Sequence, residues 1–425
     1  MVNLVEELKW RGMMQDIMPG TEEQLSKEMT TGYIGFDPTA DSLHVGSLVQ
    51  IIILRHFQSA GHKPIVLIGG ATGLIGDPSG KKEERKLLTE DEVNQNAKCI
   101  QRQLSKFLDF GNSNNAALLL NNADWFRGIT TIEFLRDAGK YLTVSYLLNK
   151  GFVKDRLSHE QDISFTEFNY ILMQAYDFMW LYQHKNCKIQ MGGSDQWGNI
   201  TAGAELIRKK LQREAFGFTC KLLTKADGTK FGKTEEGNVW LDPSKTSPYQ
   251  FYQFWLNASD EDAEKWIKIF TFLSKDAIQM LTREHKANPS ERVLQKTLAQ
   301  EITTFVHGKE EFEKAVATTE KLFSNQNTPA ENLSIEDIEG MEGVIKCDFP
   351  KEKINSGIDV VSFLADAGIF PSKGEARKTI QGGGISINRK KVEDAQMKIN
   401  SSLLLHEKYI LAQKGKKNYY LVKIV

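Results

Sequence analysis

Two short runs of mainly apolar residues, Thr31–Asp37 and Pro64–Gly70, are rich in β-branched side chains and carry glycine near their ends. Continuous apolar runs of this kind predict strands buried on both faces of a parallel sheet. Between them His44–Phe57 follows a helical period, and Ala116–Leu120 and Lys188–Met191 read as two further strands with helical intervals before them. The alternation predicts an α/β fold with a Rossmann-like, doubly wound parallel sheet. The opening stretch Val2–Met18 sets Glu6, Glu7, Lys9, Arg11 and Asp16 among Leu4, Val5, Leu8 and Trp10. It predicts an amphipathic helix and lacks the apolar core of a secretory signal.

Past Pro248 the pattern becomes helical to about Asn325, with few β-branched runs, and Asn325–Glu331 has the Asn, Gln, Thr and Pro content of a connector. From Gly357 it changes again. Helical stretches at Val360–Ala367 and Lys373–Ile380 lead through Gly382-Gly383-Gly384 to short strands at Tyr409–Ala412 and Tyr419–Val425, with a basic hairpin tip at Lys414-Gly415-Lys416-Lys417. The expected organisation is a catalytic domain at 1–245, an all-α domain at 246–330, a linker at 331–356 and a small α+β domain at 357–425.

Length and composition agree with several domains, since 425 residues exceed a single core. With 40% hydrophobic and 26% charged residues, no apolar run reaches the roughly 18–20 residues of a membrane-spanning helix. The four cysteines are dispersed without Cys-x-x-Cys spacing, which suggests neither zinc knuckle nor disulfide framework and fits a reducing cytoplasm. The net charge of −1 hides an asymmetry: residues 373–425 hold 12 Lys and Arg against 4 Asp and Glu, a balance of +8, so the rest carries −9. A polyanion would meet the basic tail or local patches, not the whole surface.

Two separated segments carry the candidate chemistry. Around Asp37-Pro38-Thr39, His44-Val45-Gly46-Ser47 stands at a strand-to-helix turn, where free N–H groups and the helix dipole favour a phosphate. Lys230-Phe231-Gly232-Lys233-Thr234 follows the turn signal Asp227-Gly228 and supplies two cations on a loop. The competing reading of His44 is a helix-start residue that merely caps or packs, and Lys230 and Lys233 alone read more often as solvated surface. Tyr170, Gln174 and Asp177 are spaced by four and three residues, which places them on one helical face. Their apolar surroundings, among them Phe168, Ile171, Phe178 and Trp180, argue against a wet face, and buried polar groups need partners. A ligand with an ammonium and a hydroxyl would supply them. Gln190-Met191-Gly192-Gly193-Ser194-Asp195-Gln196-Trp197-Gly198-Asn199 ends a strand and opens a helix, with Asp195 placed to accept from ribose hydroxyls. In the loop Gly73–Lys82, Asp77 can meet a cation, while Lys81, Lys82 and Arg85 are either mobile phosphate contacts or a solvated cluster.

With these motifs in place the chain resembles, end to end, the bacterial-type tyrosyl-tRNA synthetases, which are class I aminoacyl-tRNA synthetases. His44-Val45-Gly46-Ser47 is similar to the class's His-Ile-Gly-His, Lys230–Thr234 to its Lys-Met-Ser-Lys-Ser, and Gly192–Asn199 to the family's Gly-Gly-Ser-Asp-Gln-Trp-Gly-Asn. The resemblance implies tyrosine–tRNA ligase activity, with tyrosine, ATP and tRNA as substrates, magnesium accompanying ATP, no protein-ligated metal, and a cytoplasmic homodimer. By it, Tyr33 and Asp177 meet the tyrosine phenol, Asp77, Tyr170 and Gln174 its ammonium, and Gln190 belongs to the same pocket. Gly35, Asp37, Gly46, Ser47, Gly193 and Asp195 serve ATP or the adenylate. Gln196 steadies the carboxylate. Thr39, His44, Lys230, Lys233 and Thr234 act on the departing pyrophosphate, with Lys82 and Arg85 as mobile phosphate contacts. The helical 246–330 region takes the tRNA's anticodon side, and 357–425 resembles an RNA-binding fold of a ribosomal protein. Ser47 departs from the signature's second histidine, and Phe231 and Gly232 from its Met-Ser. A regulatory RNA-binding paralogue and a tryptophan-specific relative are the competing readings.

Overall fold

The computed structural model describes residues 3–79, 87–159, 162–229, 231–234, 237–323, 329–339, 341, 344–415 and 418–425. They divide into two compact units, Met1–Asp242 with Ser259–Leu294, and Pro243–Ala258 with Gln295–Val425. The first unit thus takes in part of the helical stretch that the sequence pattern groups as 246–330.

The first unit is built on a six-stranded sheet of β1 (Met14–Ile17), β2 (Thr31–Phe36), β3 (Lys63–Ile68), β4 (Leu118–Asn121), β5 (Cys187–Gly193) and β6 (Phe216–Cys220), ordered β1-β6-β5-β2-β3-β4. All neighbouring pairs are parallel except β1 with β6. The chain runs outward through β2, β3 and β4, then returns to lay β5 on the other side of β2. A crevice therefore opens where β2 and β5 end, the place at which such sheets bind ligands. Residues Ile65 to Ile68 of β3 are at most 2% exposed, as expected of a strand covered on both faces.

Three helices frame that edge: α1 (Leu48–Ser59), α2 (Phe165–Lys185) and α3 (Trp197–Leu211). A capping box starts α2, Ser164 accepting from Glu167 N–H while the Glu167 carboxylate accepts from Ser164 N–H. The same carboxylate receives both terminal nitrogens of the buried Arg156, at 3.0 and 2.8 Å. Asn186, at φ 49°, closes α2.

The amino-terminal pattern gives only half the predicted helix. Leu4–Trp10 is helical, but Gly12 turns at φ 73° and Met14–Ile17 becomes the antiparallel edge strand, so the sheet is mixed and not wholly parallel. Arg11, at the helix end and 3% exposed, bridges to the helix Asp260–Phe270, donating to the carbonyls of Lys268, Thr271 and Leu273 at 2.6, 2.7 and 2.9 Å and to Glu7 at 2.8 Å.

In the second unit the helix Pro248–Leu256 packs on Lys309–Phe323, and Gln253 donates to Thr319 at 2.7 Å. A five-stranded sheet follows the order Lys390–Lys391, Ile385–Ile387, Tyr409–Lys414, Asn418–Ile424, Ile345–Phe349. The last pair is parallel, so the segment expected as a 331–356 linker supplies an edge strand, and the small domain begins before Gly357. Phe349, Val360, Phe363, Ile385 and Val422 share its core. Of the basic hairpin tip, Gly415 has φ 65°, while Lys416 and Lys417 lie outside the described residues. No helix among the described residues is long and apolar enough to cross a membrane.

Replacing Arg11 with Met removes one donor group from three carbonyls and leaves Glu7 without its partner. The expected cost is about 3 kcal/mol, read as an earlier first unfolding transition in urea; an unchanged transition would contradict the bridge.

Candidate active site

Asp37 sits one residue past β2 and begins a buried chain of hydrogen bonds. Its Oδ2 accepts from Tyr170 Oη at 2.9 Å and its Oδ1 from Thr72 Oγ1 at 2.8 Å. Asn122 Nδ2 donates to Thr72 Oγ1 and to Asp177 Oδ2, both at 3.0 Å, and Trp125 Nε1 donates to Asp177 Oδ1 at 2.8 Å. Gly69 makes this possible, because a Cβ there would overlap Asp37 Oδ1 and Thr72 Oγ1.

Tyr33 on β2 and Gln190 on β5 are register partners, so both side chains leave the sheet on one face. Each is buried, at 1% and 2% exposure, and Tyr33 Oη and Gln190 Oε1 have no hydrogen-bond partner among the described residues. Burial, then the charge of Asp177, raises the Tyr33 phenol well above its ordinary range. Asp177 is pushed up to about 8, chiefly by burial, with Asn122 and Trp125 pulling the other way. Two buried polar atoms near a carboxyl group are open to a hydrogen-bonding partner, which a polar ligand can supply.

A second network crosses between the loop after β3 and α3. Asp77 Oδ2 accepts from Gln196 Nε2 at 2.7 Å, and its Oδ1 accepts from Ser79 N–H at 2.9 Å. Gln196 Oε1 accepts from Gln174 Nε2 and Asn199 Nδ2, both at 3.1 Å, and Gln174 Oε1 accepts from Asn199 Nδ2 at 2.8 Å. Tyr170, Gln174 and Asp177 therefore use one face of α2, as their spacing predicts. Burial and the charge of Asp77 raise the Asp195 carboxyl. A Cβ on Gly193 would come 2.6 Å from Asp195 Oδ1, so any side chain there would displace the Asp195 carboxylate from its present position.

The strand-to-helix turn carries the other group. His44 Nδ1 accepts from Gly46 N–H at 3.0 Å, which in neutral imidazole assigns the proton to Nε2. Ser47 precedes α1 without a side-chain capping bond. Thr39 is exposed, its N–H bonded to Asp37 O at 2.9 Å, and Gly35 faces open space. Backbone bonds join this turn to the distant loop: Val45 N–H donates to Val239 O at 2.9 Å, and Val239 N–H donates to Gly232 O at 3.1 Å. Gly232, at φ 80°, lies so close that a Cβ would come 2.8 Å from Val45 Cγ2. The backbones of Lys233 and Thr234 pair with Asn238 and Gly237. Lys230, Lys82 and Arg85, with Lys81, fall outside the described residues.

Thr72, Ser79, Asn122, Trp125 and Asn199 belong to the networks although sequence reasoning did not single them out. Asn122 had a readable signal, as a polar residue just past a parallel strand's carboxyl end; the others depend on contacts distant in the chain.

Comparison with known proteins bears on the whole chain. Residues 25–324 match the family of class I tRNA synthetases (W and Y), and residues 340–422 match a tyrosine–tRNA ligase SYY-like C-terminal domain. A tyrosine–tRNA ligase of Porphyromonas gingivalis is 56% identical across 99% of both chains, and one of Cytophaga hutchinsonii is 54% identical across 100% of both. A C-terminally truncated mitochondrial tyrosyl-tRNA synthetase of Aspergillus nidulans superposes with a TM-score of 0.68 at 30% identity, covering 76% of this chain and 95% of that one. A Plasmodium falciparum tryptophanyl-tRNA synthetase, at 11% identity and a TM-score of 0.51 over 79% of this chain and 87% of that one, shares the fold.

The raised Asp177 has a consequence for stability. Between its ordinary value of 3.8 and about 8, the folded protein keeps a proton that the unfolded chain has lost. The group's contribution therefore falls as pH rises through that window. Asp177→Asn cannot titrate, so the decline in unfolding temperature from pH 5 to pH 8 should be smaller in the variant. Equal declines would count against the raised carboxyl.

Proposed function

This chain belongs to the class I tRNA synthetases, as a tyrosine–tRNA ligase, and on that premise we propose how its residues divide the work. The reaction joins tyrosine to tRNA with ATP as co-substrate. In the first step the tyrosine carboxylate attacks the α-phosphorus in line, a new P–O bond forms, and the bond to pyrophosphate breaks. In the second, the terminal ribose hydroxyl of tRNA attacks the activated carbonyl and AMP leaves. Neither step needs a nucleophile from the protein, so positioning and charge stabilisation supply the acceleration.

The observation that carries the tyrosine assignment is the pair of buried atoms without partners, Tyr33 Oη and Gln190 Oε1, near Asp177. A phenol hydroxyl both donates and accepts, so it suits Tyr33 and Asp177 in either protonation state of the acid. The ammonium is assigned to Asp77, Gln174 and the lone pairs of Tyr170 Oη; their mutual bonds hold these acceptors in place before substrate arrives. Gln196, bonded to Asp77, takes the carboxylate. Phenylalanine would leave the buried hydroxyl and amide oxygen unpaired, which is the physical basis of its rejection.

ATP is assigned to the open space over Gly35, to Asp37, Gly193 and Asp195, and to the turn Gly46-Ser47. Pyrophosphate is assigned to Thr39, His44 through Nε2–H, Lys230, Lys233 and Thr234, with Lys82 and Arg85 as further contacts, and magnesium comes with ATP. Donors fixed in advance around developing phosphate charge are the economical arrangement for this transfer. The basic 373–425 segment is assigned to tRNA, and the working form to a cytoplasmic homodimer.

Pure protein with magnesium, ATP and labelled pyrophosphate should exchange label when tyrosine is added and not with tryptophan or phenylalanine. No tyrosine-dependent exchange would reject the assignment in favour of a regulatory RNA-binding paralogue. Asp177→Ala should raise the KM for tyrosine by about 10- to 100-fold, the scale of a buried hydrogen-bonding group left without its partner.

Deletion from residue 340 onward removes the small sheet whole, including its Ile345–Phe349 strand. Exchange should persist while tRNA charging falls; unchanged charging would withdraw the RNA role.

A further inference from the structure

We propose that the helix Asp260–Phe270 is the dock of the segment that holds Ala226 and Phe231, and that Phe231 is its positioning residue, an inference that rests on the ligase reading above. Asp262, Trp266 and Phe270 follow one another at four-residue intervals and so form one stripe along the helix. Every member of that stripe touches the loop segment. Asp262 Oδ1 accepts from Ala226 N–H at 2.9 Å. The ring of Phe231 meets Trp266 edge-on, with centroids 5.0 Å apart, and stacks on Phe270 at 5.3 Å with an interplanar angle of 19°.

The loop is otherwise a poor candidate for fixed geometry. Most of residues 221–229 are exposed, while Phe231 is 7% exposed. Among the described residues before Phe231 lies a turn, in which Lys225 N–H donates to Thr229 O and the Asp227 carboxylate accepts from Thr229 N–H and Oγ1. The turn is thus held at Ala226 by a hydrogen bond and at Phe231 by two aromatic rings. Lys230 lies between these anchors in sequence and Lys233 just beyond them.

The dock is itself fixed to the other half-site. Arg11 ties the carbonyls at its carboxyl end, and the helix packs on α1, whose start is the His44–Ser47 turn. From the opposite side Gly232 is joined through Val239 to Val45. One residue's ring and the next residue's backbone therefore set the loop's distance from the histidine turn. Phe231 replaces the signature's methionine, and a methionine would fill the same aromatic slot.

The test measures tyrosine-dependent ATP–pyrophosphate exchange, with direct tyrosine binding and thermal unfolding as companions, in the full-length protein. Phe231→Ala is expected to lower kcat by about 10- to 100-fold, the scale of a small misplacement of reacting groups. Tyrosine affinity should stay within about twofold, and Phe231→Met should restore most of the rate. Asp262→Ala should lower kcat likewise, while Ser259→Ala, which removes the helix cap and its bond to Asp262 Oδ2 but leaves Oδ1 to accept from Ala226 N–H, should not. Wild-type kcat in Phe231→Ala overturns the proposal, as does a loss of tyrosine affinity equal to the loss of rate. Should Phe231→Ala fail to fold, the Asp262 and Ser259 pair decides: equal rates in both overturn the dock. A wild-type protein without exchange fails the ligase reading instead, which separates the two.

Discussion

The hydrogen-bond chain from Tyr170 through Asp37, Thr72 and Asn122 to Asp177 is the constraint on which the site depends. It joins the ends of β2 and β4, the short helix after β3 and the middle of α2, none of which is adjacent in sequence. Loss of any link would leave buried polar atoms uncompensated, so the elements move together or not at all. The fold makes this affordable by bringing three parallel strands to one edge, where a polar side chain just past a strand can turn inward without interrupting a ladder.

How far the sequence foretold this varies with the physics involved. β2 and β3 were legible from their apolar runs because a strand covered on both faces leaves a local mark, and the α2 stripe was legible because helical period is local too. Asn122 and Trp125 complete Asp177 from more than fifty positions away, at sequence separations of 55 and 52, and no periodicity encodes such pairings. The edge strand Met14–Ile17 falls within a stretch whose pattern predicts helix, because its residues alternate weakly and the break at Gly12 is a single residue. The helix Asp260–Phe270 looked like part of a separate bundle. Its membership in the first unit is decided by Arg11 and by aromatic contacts that appear only on folding.

Two of the departures from the class signature, Phe231 and Gly232, find a joint explanation. A residue with φ of 80° pressed against Val45 favours glycine, because a side chain would be both strained and obstructed. The aromatic neighbour compensates by giving the segment a buried foothold. Within this pair, apolar area replaces the hydrogen bonding a serine could offer.

The pairing of Tyr33 with Gln190 has a consequence of its own. Because facing alternates along a strand, sliding β2 past β5 by a single position would turn Tyr33 to the far side of the sheet while Gln190 kept its place. On the proposed assignment, amino-acid choice is thus inherited from backbone alignment, and a lineage drifting toward another substrate could exchange these two side chains while every rung between the strands stayed as it is.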